Sequence, residues 1–384
     1  MLKLLYKIKV IKMDKLKEIR KKIDSVDKKL ITLFSARMEL SAEIAEVKRD
    51  NNIPVYDQKR ENDLIENLKN KITEKYQYSI PPLYSTILTL SREEQNKKLS
   101  DENESFLENE KPEKIKELKI AYQGLEGSFS EEALLKLFPD AKKISYPTFE
   151  DVFIAVRDEE VSYGIVPIEN WETGAIEETY DLLRRYGNFI VDKTWIRVSH
   201  ALIGCIDAKL KDIKIVYSHP EALKQCHRFL QANEFEEIAL KNTAIAAEKV
   251  AVEKNKEQAA IASERAAKKY GLNIIKKDIA DNKKNKTAFV VLSKKSFYDK
   301  NSNIISLIFS IKDKPGALLA ILMIFSSFGI NLTRLVSKPS LEFSTYSFFC
   351  DISGNIEDVK IKNAFSLIES EAEYFEVLGN YEEN

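Results

Sequence analysis

The chain has 384 residues, too many for one hydrophobic core, so two to four domains are expected. Its 60 basic and 61 acidic residues nearly cancel, which removes any global electrostatic reason to expect nucleic acid or a membrane surface as partner. Three scattered cysteines and three histidines, with no CxxC or HxxxH spacing, argue for a reducing, cytoplasmic setting and against a disulfide framework or a metal centre.

The opening MLKLLYKIKVIK is basic and apolar, but lysines break it and no small-residue cleavage site follows. It reads as a leader over 1–13, with Met13 as the candidate start. No stretch approaches the roughly 18 consecutive apolar residues that a membrane span requires.

From Leu16 the apolar residues fall at Ile19, Ile23, Val26, Leu30 and Leu33, a heptad seam on one long helix. Neither Gly nor Pro interrupts 14–49, and Pro54 follows. Asp57 can cap a second helix carrying Leu64, Ile65, Leu68 and Ile72. Pro81-Pro82 opens a third, with Leu83, Ile87 and Leu90 along one side. Residues 14–97 are therefore all-helical, and the long seam needs a partner, most simply a second copy. Residues 98–117, charged and poor in aromatics, read as a linker.

After it the pattern alternates. Apolar strands read LKIAY (118–122), YGIVPI (163–168), IKIVYS (213–218), QAAIAS (258–263) and AFVVLS (288–293). Amphipathic helices such as 131–138 and 245–254 lie between them, which makes 118–298 an α/β domain, plausibly of two lobes. Residues 303–384 run strand, helix, strand, strand, helix, strand, a ferredoxin-like α+β order.

On the long helix Arg37 and Lys48 are three turns apart, on one face and about 16 Å apart along the axis. Arg20 lies about 25 Å from Arg37 and is turned by about 100°, so it joins such a pocket only from a partner chain. A solvated charged face is the plain alternative for any one of these residues. The spaced set Arg20, Arg37, Lys48, Asp57, Arg60, Glu61, with Ser91 and Gln95 on the third helix, resembles the all-helical chorismate mutases. That resemblance implies an intertwined long-helix dimer and a pericyclic rearrangement of chorismate to prephenate, achieved by clamping a dicarboxylate and stabilising charge on its ether oxygen. It implies that Arg37 and the other chain's Arg20 grip carboxylates, with Arg60 in support. Lys48 and Gln95 then donate to the ether oxygen, and Glu61 holds the ring hydroxyl near Asp57.

Four motifs mark the middle segment: AYQGLEGSFSEEA (121–133), VPIENWETGA (166–175), VYSHPEALKQC (216–226) and NKTAFVV (285–291). In the first, Ser128 or Ser130 opens a helix whose unpaired N–H groups suit a carboxylate, though an ordinary βα turn reads the same way. In the second, an apolar run stops at Glu169-Asn170, either a strand running into solvent or a polar edge facing a ligand. Together the four resemble prephenate dehydratase, which implies a two-lobed fold similar to periplasmic binding proteins and loss of carbon dioxide and water from prephenate. By that resemblance Thr287 donates to the leaving hydroxyl. Ser128, Glu169, Asn170, Thr173, Ser218 and Gln225 line the pocket, with Thr173 where the family often has serine. His219 is a second candidate acid, and its Ser-His-Pro turn is equally a structural element. The family's Thr-Arg-Phe reads Thr287-Ala288-Phe289 here, so an arginine able to pair with a substrate carboxylate is missing. Weaker dehydration is expected unless Lys284 or Lys286 compensates.

The segment 312–340 resembles an ACT domain that binds phenylalanine. Gly316, Ala317, Leu318 and Leu319 match its first signature. The second, usually Glu-Ser-Arg-Pro, reads Val336, Ser337, Lys338, Pro339, which implies altered effector binding or none. The three segments together resemble the bifunctional chorismate mutase/prephenate dehydratases (P-proteins). The resemblance implies chorismate and prephenate as substrates, L-phenylalanine as effector, a homodimer or higher oligomer, and no cofactor. The alternative is a mutase fused to a dicarboxylate-sensing domain that is catalytically weak.

Overall fold

A computed structural model of the chain describes residues 2–51, 53–99, 105–109, 118–313, 315–340 and 345–383. Three helices open it: α1 (Leu2–Asp50), α2 (Gln58–Lys69) and α3 (Ile80–Leu99). The 49 residues of α1 span about 74 Å at 1.5 Å per residue. Lys48 and Arg49 in its last turn complement the negative end of the helix dipole. The segment expected to be a leader is helical from Leu2, a direct continuation of α1. Asp57 caps α2 by accepting from the Arg60 backbone N–H at 3.0 Å. Pro81 and Pro82 stand in the first turn of α3, where the missing N–H costs nothing.

The middle segment contains β1 (Lys119–Gln123), α4 (Phe129–Leu137), β2 (Lys142–Tyr146), α5 (Phe149–Arg157), β3 (Tyr163–Asn170) and β4 (Gly174–Ala175). It continues with α6 (Glu177–Tyr186), β5 (Phe189–Arg197), β6 (Ala201–Gly204), β7 (Ile215–Ser218), α7 (Pro220–Gln225) and α8 (His227–Ala232). It ends with β8 (Glu236–Ala239), α9 (Thr243–Glu253), β9 (Gln258–Ala262), α10 (Glu264–Tyr270), β10 (Asn273–Lys276) and β11 (Lys286–Ser293). The C-terminal order is β12 (Ile304–Ser310), α11 (Ala317–Ser327), β13 (Leu332–Ser340), β14 (Thr345–Ser353), α12 (Val359–Glu371) and β15 (Tyr374–Tyr381).

Contacts group the chain into two compact units, one of residues 1–104, 311–329 and 359–373, the other of 105–310, 330–358 and 374–384. In the first, α1 to α3 are joined by α11 and α12. Its outer feature is the seam of α1, where Leu16, Ile19, Ile23, Val26, Leu30 and Leu33 are all exposed, Leu33 by 68%. No helix among the described residues is long and apolar enough to cross a membrane.

The second unit holds three sheets, ordered β2-β1-β3-β11-β5 (with β4 on β3), β10-β6-β9-β7-β8, and β13-β14-β12-β15. The first two are the lobes of an α/β domain. The chain leaves the first lobe after Arg197 and returns at Lys286, so β11 lies antiparallel between β3 and β5 although more than 80 residues separate it from β5. The βαββαβ strands form the third sheet in ferredoxin-like order, and Ile304, Ile308, Phe349, Leu378 and Tyr381 share a core with Val152, Tyr180 and Val290 of the first lobe. Close approach fixes one residue there: a Cβ on Gly379 would lie 1.9 Å from the Ile190 carbonyl oxygen. Part of the expected linker is anchored too. Leu107 is buried, and Phe106 packs edge-on against Phe375, with ring centroids 6.1 Å apart. The rest of the linker, 100–104 and 110–117, lies outside the described residues.

Candidate active sites

In the helical unit, α1 and α3 bring Arg37 against Ser91: the guanidinium donates to Ser91 Oγ and, at 3.4 Å, to the Ile87 carbonyl. Lys48 donates to the Val55 carbonyl. Burial lowers the pKa of both cations, while Glu61 opposes that shift at each, which puts the carboxylate within electrostatic reach of both. Gln95 is buried and donates to the Ser91 carbonyl at 3.2 Å, and its Oε1 has no partner among the described residues. Asp57 and Arg60 are exposed at the start of α2. Arg20 is exposed on α1, apart from this cluster.

Sequence reasoning missed Arg92, one residue after Ser91. It is 5% exposed, and its Nη1 sits 2.6 and 2.5 Å from the two oxygens of Glu61. Glu61, Arg92, Thr89 and Tyr56 line a cavity of about 600 Å³ that also takes in Gly316, Leu319 and Glu371. Two of the expected effector residues therefore face the helical segment. Ala317 is buried and Leu318 half-buried. Ser337, Lys338 and Pro339 lie on β13 in the other unit, where Lys338 binds Asp181 Oδ1 at 2.6 Å and the Glu177 carbonyl at 2.9 Å.

Between the two lobes lies a cleft of about 260 Å³, lined by Ser128, Ser130, Asn170, Thr173, His200, His219, Gln225 and Thr287 among others. Its centre is the ladder of β3 and β11, where Asn170 and Thr287 are direct partners. Asn170 Nδ2 donates to Thr287 Oγ1 at 2.8 Å and to Asn285 Oδ1 at 3.0 Å. Its Oδ1 accepts from the backbone N–H groups of Glu172 and Thr173. Thr287 Oγ thus receives a hydrogen bond, and among the described residues its own hydrogen has no acceptor. A threonine so held presents an O–H donor at the cleft.

The partners around it are set locally. Ser128 caps α4 by accepting from the Glu131 N–H at 3.3 Å, so one of that helix's unpaired donors is already satisfied. His219 caps α7, its Nδ1 accepting from the Glu221 N–H at 3.2 Å, which is the structural role open to a Ser-His-Pro turn. Missed by sequence was His200, 2% exposed, whose Nε2 lies 2.9 Å from Gln225 Oε1. Because an amide oxygen can only accept, Nε2 is the ring nitrogen that carries the hydrogen. Burial lowers the His200 pKa and keeps the ring neutral.

Some expected residues are not in the cleft. Ser218 is fully buried and donates to the Ile261 carbonyl at 2.7 Å, a bond within the second lobe. Glu169 does not line the cavity; it faces Ala288 across the ladder. Alternation along a strand explains this, since residues adjacent to Asn170 and Thr287 point to the opposite face. Ala288 is wholly buried in the core with Val152, Tyr180 and Val290. An arginine at 288 would therefore stand beside Glu169, not at the cleft. The expected compensators are elsewhere as well. Lys286 Nζ lies 3.9 and 4.2 Å from the ring centroids of Trp171 and Trp195, and neither it nor Lys284 lines the cleft.

Family models match in three consecutive pieces: chorismate mutase type II over residues 19–96, prephenate dehydratase over 120–297 and the ACT domain over 305–365. A bifunctional chorismate mutase/prephenate dehydratase of Aquifex aeolicus (strain VF5) is 32% identical over 373 residues, covering 96% of this chain and 98% of that protein. The chain belongs to the bifunctional chorismate mutase/prephenate dehydratase family. It is an enzyme of phenylalanine biosynthesis with an ACT regulatory domain. Among solved structures, the prephenate dehydratase of Arthrobacter aurescens in complex with L-Phe aligns with TM-score 0.64 and 26% identity over 69% of this chain and 90% of that one. A structure described as GqqA, a novel type of quorum quenching acylase, aligns with TM-score 0.65 and 29% identity over 69% of this chain and 98% of that one. Within the bifunctional enzyme, the helical cluster falls in the mutase match and the Asn170–Thr287 pair in the dehydratase match.

Proposed function

We propose that the two sites act in succession on chorismate and prephenate with the following division of labour. In the mutase, Arg37 and Arg20 of a second copy bind the substrate carboxylates while Lys48 and Gln95 face the ether oxygen. Glu61 takes the ring hydroxyl. Arg60 and Asp57 border the site, and Ser91 orients Arg37. The exposed seam of α1 supports a homodimer: burying each Leu, Ile or Val against a second copy is worth about 1.5–3 kcal/mol. In the dehydratase, Thr287 protonates the leaving hydroxyl as carbon dioxide departs and the ring becomes aromatic. Asn170 holds Thr287, and Ser128, Thr173 and Gln225 orient the carboxylates. The observation that carries this assignment is the 2.8 Å bond from Asn170 to Thr287 Oγ1, which leaves the threonine hydrogen for a ligand. L-Phenylalanine is the effector of the ACT domain, and the enzyme works in the cytoplasm, a reading in keeping with its three free cysteines.

The test is to give the purified chain chorismate and follow products by ultraviolet absorbance before and after acid treatment. Direct appearance of phenylpyruvate is expected, with its rate lowered by added phenylalanine. Accumulating, persistent prephenate would overturn the dehydratase assignment, and unconsumed chorismate would overturn the mutase assignment.

A further inference from the structure

Arg92 stands on α3 between Ser91 and Gln95, with a side chain only 6% exposed. Its guanidinium serves two carboxylates. Nη1 spans both oxygens of Glu61, and Nη2 lies 2.8 Å from Glu371 Oε1, at the end of α12. Thr89 Oγ1 accepts from Nη2 at 3.0 Å, and the Tyr56 ring lies 5.2 Å from the guanidinium carbon. Glu371 is itself only 8% exposed, and its Oε1 makes no hydrogen bond among the described residues. Arg92 is therefore its neutralising charge, and two carboxylates compete for one buried cation.

We propose that Arg92 and Glu371 are positioning residues for the mutase reaction, so that the last helix of the ACT segment sets how Glu61 meets its substrate. Arg92 fixes the Glu61 carboxylate in place. Arg92 Nη1 takes up only part of the acceptor capacity of the two Glu61 oxygens, which leaves lone pairs for a substrate hydroxyl. Sharing that guanidinium with Glu371 weakens its hold on Glu61 and leaves the carboxylate a stronger acceptor. The sequence gives no hint of this, because Glu371 is 310 residues from Glu61 and Arg92 falls in an unassigned gap of the mutase motif. The inference rests on the reading of Glu61 as the residue that takes the ring hydroxyl.

The experiment uses the full chain and compares chorismate consumption in Glu61→Gln, Glu371→Gln, Glu371→Asp and the double variant Glu61→Gln/Glu371→Gln. Glu371→Gln is expected to lower mutase kcat/KM about tenfold, mostly in kcat, because a slightly misdirected contact group is costly. Glu371→Asp should recover most of that loss. The double variant should be no worse than Glu61→Gln alone, since both changes act through one carboxylate. Turnover of supplied prephenate by Glu371→Gln should match the parent. If Glu61→Gln leaves the mutase intact, the underlying reading of Glu61 fails and the proposal with it. If Glu61→Gln is crippled while Glu371→Gln keeps parental kcat and KM, the positioning role alone is overturned. A Glu371→Gln variant that melts earlier and loses both activities together would also overturn it, by showing a purely structural contact.

Discussion

Replacing Thr287 with valine removes one hydroxyl and little else, because the two side chains have nearly the same shape. In the folded protein that hydroxyl accepts one hydrogen bond, from Asn170 Nδ2, which retains Asn285 Oδ1 at 3.0 Å and the Lys286 carbonyl at 3.3 Å. The stability loss is therefore that of a single net hydrogen bond, about 1 kcal/mol. The catalytic loss is of another order. A positioned proton donor contributes about 10²–10⁴-fold, equivalent to about 3–5 kcal/mol of barrier. Thr287→Val should thus melt within a few degrees of the parent yet form phenylpyruvate from prephenate at least about a hundredfold more slowly, with most of the loss in kcat. Thr287→Ser, which keeps the O–H, should retain much of the rate. A valine variant within about threefold of the parental kcat would refute the assignment of Thr287 as donor.

Other outcomes follow from the same geometry. Ala288→Arg should not raise dehydratase kcat/KM, because residue 288 faces the core beside Glu169; a tenfold gain with a lowered KM would refute that placement. Gly379→Ala should destabilise the dehydratase unit by more than the about 1–3 kcal/mol of ordinary overpacking, since the added Cβ meets backbone 1.9 Å away, and a melt of the variant checks it. His200 has a folded pKa below its ordinary value of 6.5, so the unfolded chain binds its proton first as pH falls. The stability this ring supplies is complete above 6.5 and is lost as pH drops from there towards the folded value. Melting temperature should fall over that range, and His200→Gln should flatten the dependence. If the proposed dimer forms through the exposed seam, Ile23→Asp should abolish mutase turnover while leaving prephenate turnover unchanged; a mutase that stays active as a monomer would contradict the proposed two-chain site.

The amino-acid order by itself determined which elements form, wherever the signal was local. The heptad of α1, the Asp57 cap and the βαββαβ run depend on neighbours within a few turns or strands, so periodicity and capping chemistry revealed them. Spacing on one helix also set Arg37 and Lys48 on a common face, whereas Ser91, Thr287 and Asn170 were marked only by the resemblance to the two enzyme families. Strands β6 and β8 escaped, and so did the nine-residue β5, whose apolar run is interrupted by Asp192 and Lys193. Only the tertiary structure decided which face each motif residue presents. Pairing of β3 with β11 across more than 110 residues turns Asn170 and Thr287 into the cleft and their neighbours Glu169 and Ala288 away from it. That pairing likewise converts an apparently missing substrate ligand into a core position. Arg92 with Glu371, and His200 with Gln225, are contacts between segments distant in sequence. Their chemistry comes from shared burial, where an unpaired charge or amide is costly and each group must find its partner across the fold.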